Sequence, residues 1–352
     1  MFIFRHSVVF HRPGIFAAWP ANNGLWVRNG SEALVGFVTG RFKEQEGHNL
    51  LKPYDRSFAR TTDGGTTWTL ENPVSFPAEG TPVRDLTQAL PWKDERVILR
   101  FFGEGYHGSS EGKGAFAVSR DFGRTWEGPF RLGEVLKETA ARDWEVTART
   151  AYLRSAGDSL TLFLSARLPG KGGTDRAFAA RMTAGGTRIE FLGWIVSPQD
   201  PYRAVMPSPV RLSDSAIVAA VRRRRMDKDV CWVDLYRSED AGTTWGFLSR
   251  VGETGNENGN PPALIRLADG RLCCAYGNRA QKRLVVRLSR NDGRTWEEER
   301  TLREDFRPDR FGDADFGYPQ MFQRPDGKIV TIYYWASADH PEHFIASTLW
   351  EP

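Results

Sequence analysis

Cysteine is scarce in this chain. Cys231, Cys273 and Cys274 are the only three in 352 residues, which excludes a disulfide framework. Cys273 and Cys274 are neighbours and point to opposite faces if they lie on a strand, a pattern that suits a reducing compartment. Long apolar runs are missing too, so no membrane span and no membrane partner is expected. Charge of one sign is also lacking: 48 Lys and Arg stand against 44 Asp and Glu, a net charge of +4. A balance that close gives no reason to expect a nucleic-acid partner. The first ten residues, MFIFRHSVVF, have no basic n-region, no full apolar core and no small-residue cleavage site. They are expected to form a β-strand, and the protein is expected to be cytoplasmic. No His, Asp or Glu cluster has metal-ligand spacing, so neither a metal nor a cofactor is expected. The sequence leaves the oligomeric state open.

Aromatics and glycine are plentiful, with 12 Trp, 22 Phe and 35 Gly. Many of them fall in one motif, Ser/Thr-x-Asp-x-Gly-x-x-Trp. Its copies begin at Thr61, Ser119, Ser238 and Ser289 and end at Trp68, Trp126, Trp245 and Trp296. The last copy has Asn291 where the others have Asp. The physical content of the motif is a turn. An Asx or hydroxyl side chain bonds back to the backbone, Gly supplies a positive φ, and Trp packs beneath. The copies are 58, 119 and 51 residues apart. The middle interval is double, and Arg181–Thr187 looks like the remnant of a missing copy.

A second periodicity agrees. Turn signals centred on Arg28–Gly30, Trp92–Asp94, Ala156–Asp158, Leu212–Asp214, Leu267–Arg271 and Arg324–Lys328 separate apolar runs. These are hairpin signals. Each opens a segment of roughly 55 to 65 residues, enough for four short strands. Six such units make an all-β, six-bladed β-propeller of four-stranded antiparallel blades in a single domain of residues 1–352, with the N-terminal strand completing the last blade.

Propeller geometry separates the two ends. The boxes and the hairpins between the two inner strands lie at one end, as scaffold. The long connections lie at the other, where function concentrates. The starts of the innermost strands are read at Trp19, Arg84 with Asp85, Glu145, Met206, Asn260 and Tyr318, spaced by 65, 61, 61, 54 and 58 residues. The ends of the second strands carry Arg41, Arg167, Arg222 with Arg223, and Arg279, with Glu104, Tyr106 and His107 in blade 2. His48 joins from the following loop of blade 1. Arg grips carboxylates through two parallel bonds. A carboxylate and a Tyr beside such a cluster can do acid–base and nucleophilic chemistry. For any single Arg the alternative is an internal ion pair. His6, His11 and His343 are read as ordinary side chains.

The boxes, together with Phe316-Gly317-Tyr318-Pro319-Gln320 and Tyr333-Tyr334-Trp335 near the C-terminus, resemble the sialidase superfamily of neuraminidase-repeat proteins. The resemblance implies a glycoside hydrolase that binds the substrate carboxylate through arginines and uses a Tyr nucleophile assisted by a Glu, with an Asp acid/base. Tyr318 then matches the nucleophile, and Arg279 with Arg222 or Arg223 matches two of the arginines. Where sialidases carry Phe/Tyr-Arg-Ile-Pro in blade 1, this chain has Ala18-Trp19-Pro20-Ala21. Arg84 takes the role of the missing Arg, Asp85 that of the acid/base, and Glu145 that of the assisting Glu. The expected partner is an acidic or terminal sugar. A polysaccharide lyase using His48, His107, Tyr318 and Arg, and a non-catalytic sugar-binding propeller, remain alternatives.

Overall fold

The structure, a computed structural model, describes residues 4–78, 80–102, 114–147, 149–155, 157–256 and 258–352. Strands dominate because each segment alternates Val, Ile, Phe, Tyr or Leu with small residues between Gly- and Asp-rich turns. They assemble into six antiparallel sheets, the fold class of a six-bladed β-propeller.

By contacts the chain falls into two units. The first comprises the described residues of Met1–Asn72, Lys228–Val233 and Val251–Pro352. It holds blade 1 (Ile15–Ala18 and Leu25–Arg28 side by side on Glu32–Phe42, then Leu50–Thr61 and Thr69–Glu71) and blade 5 (Ala263–Arg266, Leu272–Asn278, Arg283–Ser289, Arg300–Arg303). It also holds blade 6, in which Gly317–Gln323, Ile329–Trp335 and Phe344–Trp350 are followed by the N-terminal strand Arg5–Phe10. Arg5 lies opposite Leu349 and Ser7 opposite Ser347. The N-terminal strand thus supplies the outer strand of the last blade and covers an edge that would otherwise be open. Phe316, Tyr333, Trp335, Phe344 and Trp350 form the aromatic centre of the core of blades 5 and 6.

The second unit comprises the described residues of Pro73–Asp227 and Asp234–Arg250. It holds blade 2 (Ile98–Phe102, Ala115–Ser119, Glu127–Arg131), blade 3 (Glu145–Val146 and Tyr152–Arg154 on Leu160–Arg167, then Arg176–Thr183 and Arg188–Trp194) and the first two strands of blade 4, Arg203–Arg211 and Ile217–Arg224. The remaining strands of blade 4, Cys231–Ser238 and Gly246–Gly255, cross the division between units. Blades 2 and 3 pack through Phe101, Phe116, Leu162 and Phe178, and blades 3 and 4 through Phe163, Ala179, Ile217 and Val221.

The boxes form as their chemistry requires. In the third, the Gly242 N–H donates to Ser238 Oγ at 2.9 Å, the Thr244 N–H to Asp240 Oδ1 at 2.8 Å, and Trp245 Nε1 to the Gly242 carbonyl at 2.9 Å. In the fourth, Asn291 Oδ1 accepts from the Thr295 N–H at 2.9 Å and its Nδ2 donates to Thr295 Oγ1 at 2.9 Å. Asn therefore replaces Asp without changing the turn. The suspected remnant at Arg181–Thr187 also joins the third and fourth strands of its blade, and Gly185 there has φ 62°.

Blade 2 departs from the expectation. Among the described residues its sheet has three strands, and the segment expected to start its inner strand lies elsewhere. The Arg84 N–H donates to the Pro129 carbonyl at 3.1 Å, and the Arg131 N–H donates to the Arg84 carbonyl at 2.8 Å. Arg84 is thus bridged, in parallel, to the outer strand of the blade.

Candidate active site

A buried carboxylate in the first unit gathers most of the chemistry. Asp315, 5% exposed, lies in the connection between blades 5 and 6. His48 Nδ1 donates to its Oδ2 at 2.8 Å. Arg279 Nη2, at the end of the second strand of blade 5, donates to Oδ1 at 3.3 Å. The Tyr334 hydroxyl donates to the same oxygen, and His343 Nε2 lies 2.6 Å from the Asp315 carbonyl oxygen. Burial alone would raise the carboxyl's pKa. The charge and hydrogen bond of His48, with the Arg279 charge behind them, outweigh it and hold Asp315 well below the usual carboxylate range. An ionised carboxylate only accepts, so His48 must carry its proton on Nδ1.

The loop bearing His48 is fastened to the loop bearing Asp315. Asn49 Nδ2 donates to Asp309 Oδ2 at 2.8 Å, the Gly47 N–H to Asp313 Oδ2 at 3.0 Å, and the Arg310 N–H to Glu44 Oε1 at 2.8 Å. The His48 side chain stays 49% exposed. Trp19 meets it edge-on, with ring centroids 4.7 Å apart, and reaches Tyr334 at 6.5 Å. The Tyr318 ring stands edge-on to Tyr334 at 5.7 Å.

Tyr318 is held by its backbone. Asn260, fully buried, accepts from the Tyr318 N–H at 3.0 Å and the Gly277 N–H at 3.2 Å through Oδ1, and donates to the Phe316 carbonyl at 2.6 Å through Nδ2. A side chain on Gly317 would come within 2.6 Å of this amide and one on Gly277 within 2.9 Å, so both positions require glycine. Trp19 and Tyr318 each precede Pro and each have a left-handed backbone, at φ 61° and 48°. Such conformations are strained for non-glycine residues and concentrate at functional sites.

Five residues read from the sequence, Trp19, His48, Asn260, Arg279 and Tyr318, therefore come together in one unit. Trp19 is not at the start of the inner strand but in a break within it, between Ile15–Ala18 and Leu25–Arg28. The site members not foreseen are Asp315, Tyr334 and His343. His343, read as ordinary, is buried and in contact with the Asp315 backbone.

Apart from Arg41, which lies in the first unit, the remaining candidates lie in the second unit and mostly neutralise one another. Arg167 and Glu145 sit directly opposite on adjacent strands and pair at 2.7 Å. Arg223 pairs with Asp200 at 2.7 Å and donates to the Tyr236 hydroxyl. Arg222, 1% exposed, reaches Met206 Sδ at 3.6 Å. Arg203 and Asp175, neither of them foreseen, pair at 2.7 Å. Arg84 and Asp85 are corrected: both are exposed on the outer edge of blade 2, with Arg84 over the Phe130 ring at 5.0 Å and Asp85 paired to Arg131 at 3.2 Å. His107, Glu104 and Tyr106 lie outside the described residues. Among the described residues no group of three or more His, Cys, Asp or Glu is placed to hold a metal ion, and no helix is long and apolar enough to cross a membrane.

A family of BNR repeat-like domains matches residues 45–331. The chain belongs to the BNR repeat-like domain family. That membership bears out the resemblance carried by the four boxes. Among solved structures, this BNR-repeat chain is similar to a protein of unknown function from Dyadobacter fermentans (19% identity, 99% of each chain covered, TM-score 0.73). It is also similar to an α-L-arabinanase from Penicillium chrysogenum complexed with arabinobiose (14% identity, 99% of this chain and 98% of that one, TM-score 0.62). A third likeness is to the Hadza microbial sialidase Hz136 (14% identity, 95% of this chain and 65% of that one, TM-score 0.61). At these identities the likeness is one of fold, the six-bladed β-propeller. No curated protein matches the chain.

Proposed function

We propose that this BNR-repeat protein is a sialidase-like carbohydrate-active enzyme, a glycoside hydrolase acting on an acidic or terminal sugar. The observation that carries the reading is the His48–Asp315 pair, a half-exposed imidazole oriented by a buried, ionised carboxylate. That arrangement makes an imidazole that gives and takes protons at one ring nitrogen while the other stays fixed. Asp315 itself is held too acidic to donate a proton at neutral pH. Arg279, 11% exposed and paired with Asp315 at 3.3 Å, adds a fixed positive charge behind the site, which favours an acidic substrate. Tyr318 supplies the nucleophilic oxygen, and the Trp19 ring offers a face for a sugar. The fold shared with a sialidase and an arabinanase supports the same class of substrate. The test is a screen of aryl glycosides, including sialic acid and uronic acid types. Release of the aryl group, lost in His48→Ala, supports the reading, and inactivity of the folded protein on every substrate opposes it.

The ionised state of Asp315 favours one other reading, a lyase on uronate-containing glycans. There Arg279 neutralises the uronate, His48 takes the proton next to the carboxylate, and Tyr318 protonates the departing oxygen as the C–O bond breaks and a C=C bond forms. The unsaturated product absorbs near the ultraviolet edge, whereas hydrolysis gives no such band.

A further inference from the structure

Blade 1 carries a concavity that shares no lining residue with the Asp315 cluster. It is a groove of about 170 Å³ across the blade's strands and the end of the N-terminal strand. This is below the roughly 300 to 1,000 Å³ of pockets for drug-sized ligands and about six times the volume share of one water. Its floor is a pair of buried hydroxyls, Thr39 and Ser57, hydrogen-bonded to each other at 2.8 Å. Its rim carries three exposed charges, Arg12, Arg41 and Asp55. Strand register places Asp55 directly across from Thr39.

Among the described residues, the charges of the groove are placed together without partners of their own. Arginines elsewhere are largely matched, as Arg167 is by Glu145 and Arg203 by Asp175. Among the described residues, no hydrogen bond or ion pair engages the side chains of Arg12, Arg41 or Asp55. Two guanidinium groups and a carboxylate thus line one small concavity without cancelling one another. Phe10 adds an aromatic wall.

We propose that this groove is a second carbohydrate site, for a single carboxylated sugar ring. The sugar's carboxylate is gripped by Arg12 and Arg41 through charge-assisted bonds. Ring hydroxyls donate to Asp55, and the apolar face of the ring lies on Phe10. The inference stands on the groove alone and does not rest on the reading of the Asp315 cluster. A binding-only groove would hold an acidic glycan to the protein, and two such contacts on one chain strengthen attachment without new chemistry.

The test uses the full chain carrying His48→Ala and Tyr318→Phe, with galacturonate titrated calorimetrically, so that a contribution from the Asp315 cluster is suppressed. The expected result is binding of galacturonate but not of galactose. It should weaken about tenfold or more when Arg41→Ala, or Arg12→Ala with Arg41→Ala, is added. Because Arg12 and Arg41 are exposed and support no internal partner, these variants should melt with their parent, and a melt confirms that each is folded. The proposal is overturned if galacturonate does not bind, if galactose or inorganic sulfate binds as well, or if the arginine variants bind unchanged. Failure of the hydrolase reading shows separately, as absent turnover by the unsubstituted protein.

Discussion

The His48 imidazole lies against the Asp315 carboxylate at 2.8 Å, with 49% of its side chain exposed while that of Asp315 is 7% exposed. One partner is placed for chemistry and the other for orientation. This asymmetry predicts different costs for the two substitutions. His48→Ala should lower turnover about 10²- to 10⁴-fold and cost about 1–3 kcal/mol, because it removes one hydrogen-bond partner of the buried Asp315. Asp315→Asn should also lose turnover, and it leaves the Arg279 charge without its carboxylate, at about 3–5 kcal/mol of stability. Melts and rates on both variants check this.

Asn260 and Tyr318 should separate in the same way. Tyr318→Phe removes a hydroxyl and keeps the ring against Tyr334, so turnover should vanish at a cost of no more than about 1–2 kcal/mol. Asn260→Ala strands the Tyr318 and Gly277 N–H groups and the Phe316 carbonyl. That should cost at least about 3 kcal/mol. Denaturant titrations of the two variants give the comparison.

Trp126 is 4% exposed and its Nε1 donates to the Gly123 carbonyl at 3.0 Å in the second box. Trp126→Ala should cost about 3–5 kcal/mol as a buried aromatic truncation. Activity should survive in the fraction that folds.

The boxes also predict an acid limb of stability. Hydrogen bonds from the Thr244 hydroxyl and backbone hold the Asp240 carboxyl down at about 2, from an ordinary 3.8. A depressed carboxyl stabilises the fold above its unfolded pKa, and that contribution is lost as pH falls from about 4 toward 2. Asp240→Asn should resemble the natural fourth box with Asn291. It should change the melt little at neutral pH and flatten the loss in that acid window, as melts at stepped pH would show.

Much of this was legible because the repeat has a rigid chemical cause. Ser238, Asp240, Gly242 and Trp245 each have one job in one turn, so their spacing survives in the sequence and counts the blades. The strand starts at Tyr318 and Asn260 were legible for the same reason. Arg84 was misplaced because an extra parallel bridge to the outer strand leaves no periodic mark. Asp315 was missed because it sits in a long inter-blade connection, where residue spacing carries no period. The arginines of blades 3 and 4 were over-read, since spacing shows where Arg167 and Arg223 lie but not that Glu145 and Asp200 neutralise them. Arg279 lies at the foreseen place, but its side chain turns inward to Asp315 rather than to solvent.

The most direct measurement is release of the aryl group from sialic acid and uronic acid aryl glycosides by the unsubstituted protein, with His48→Ala and Tyr318→Phe alongside. The account predicts turnover of at least one acidic glycoside by the unsubstituted protein and its loss in both folded variants. Turnover that persists in both variants would contradict the placement of the active site around Asp315.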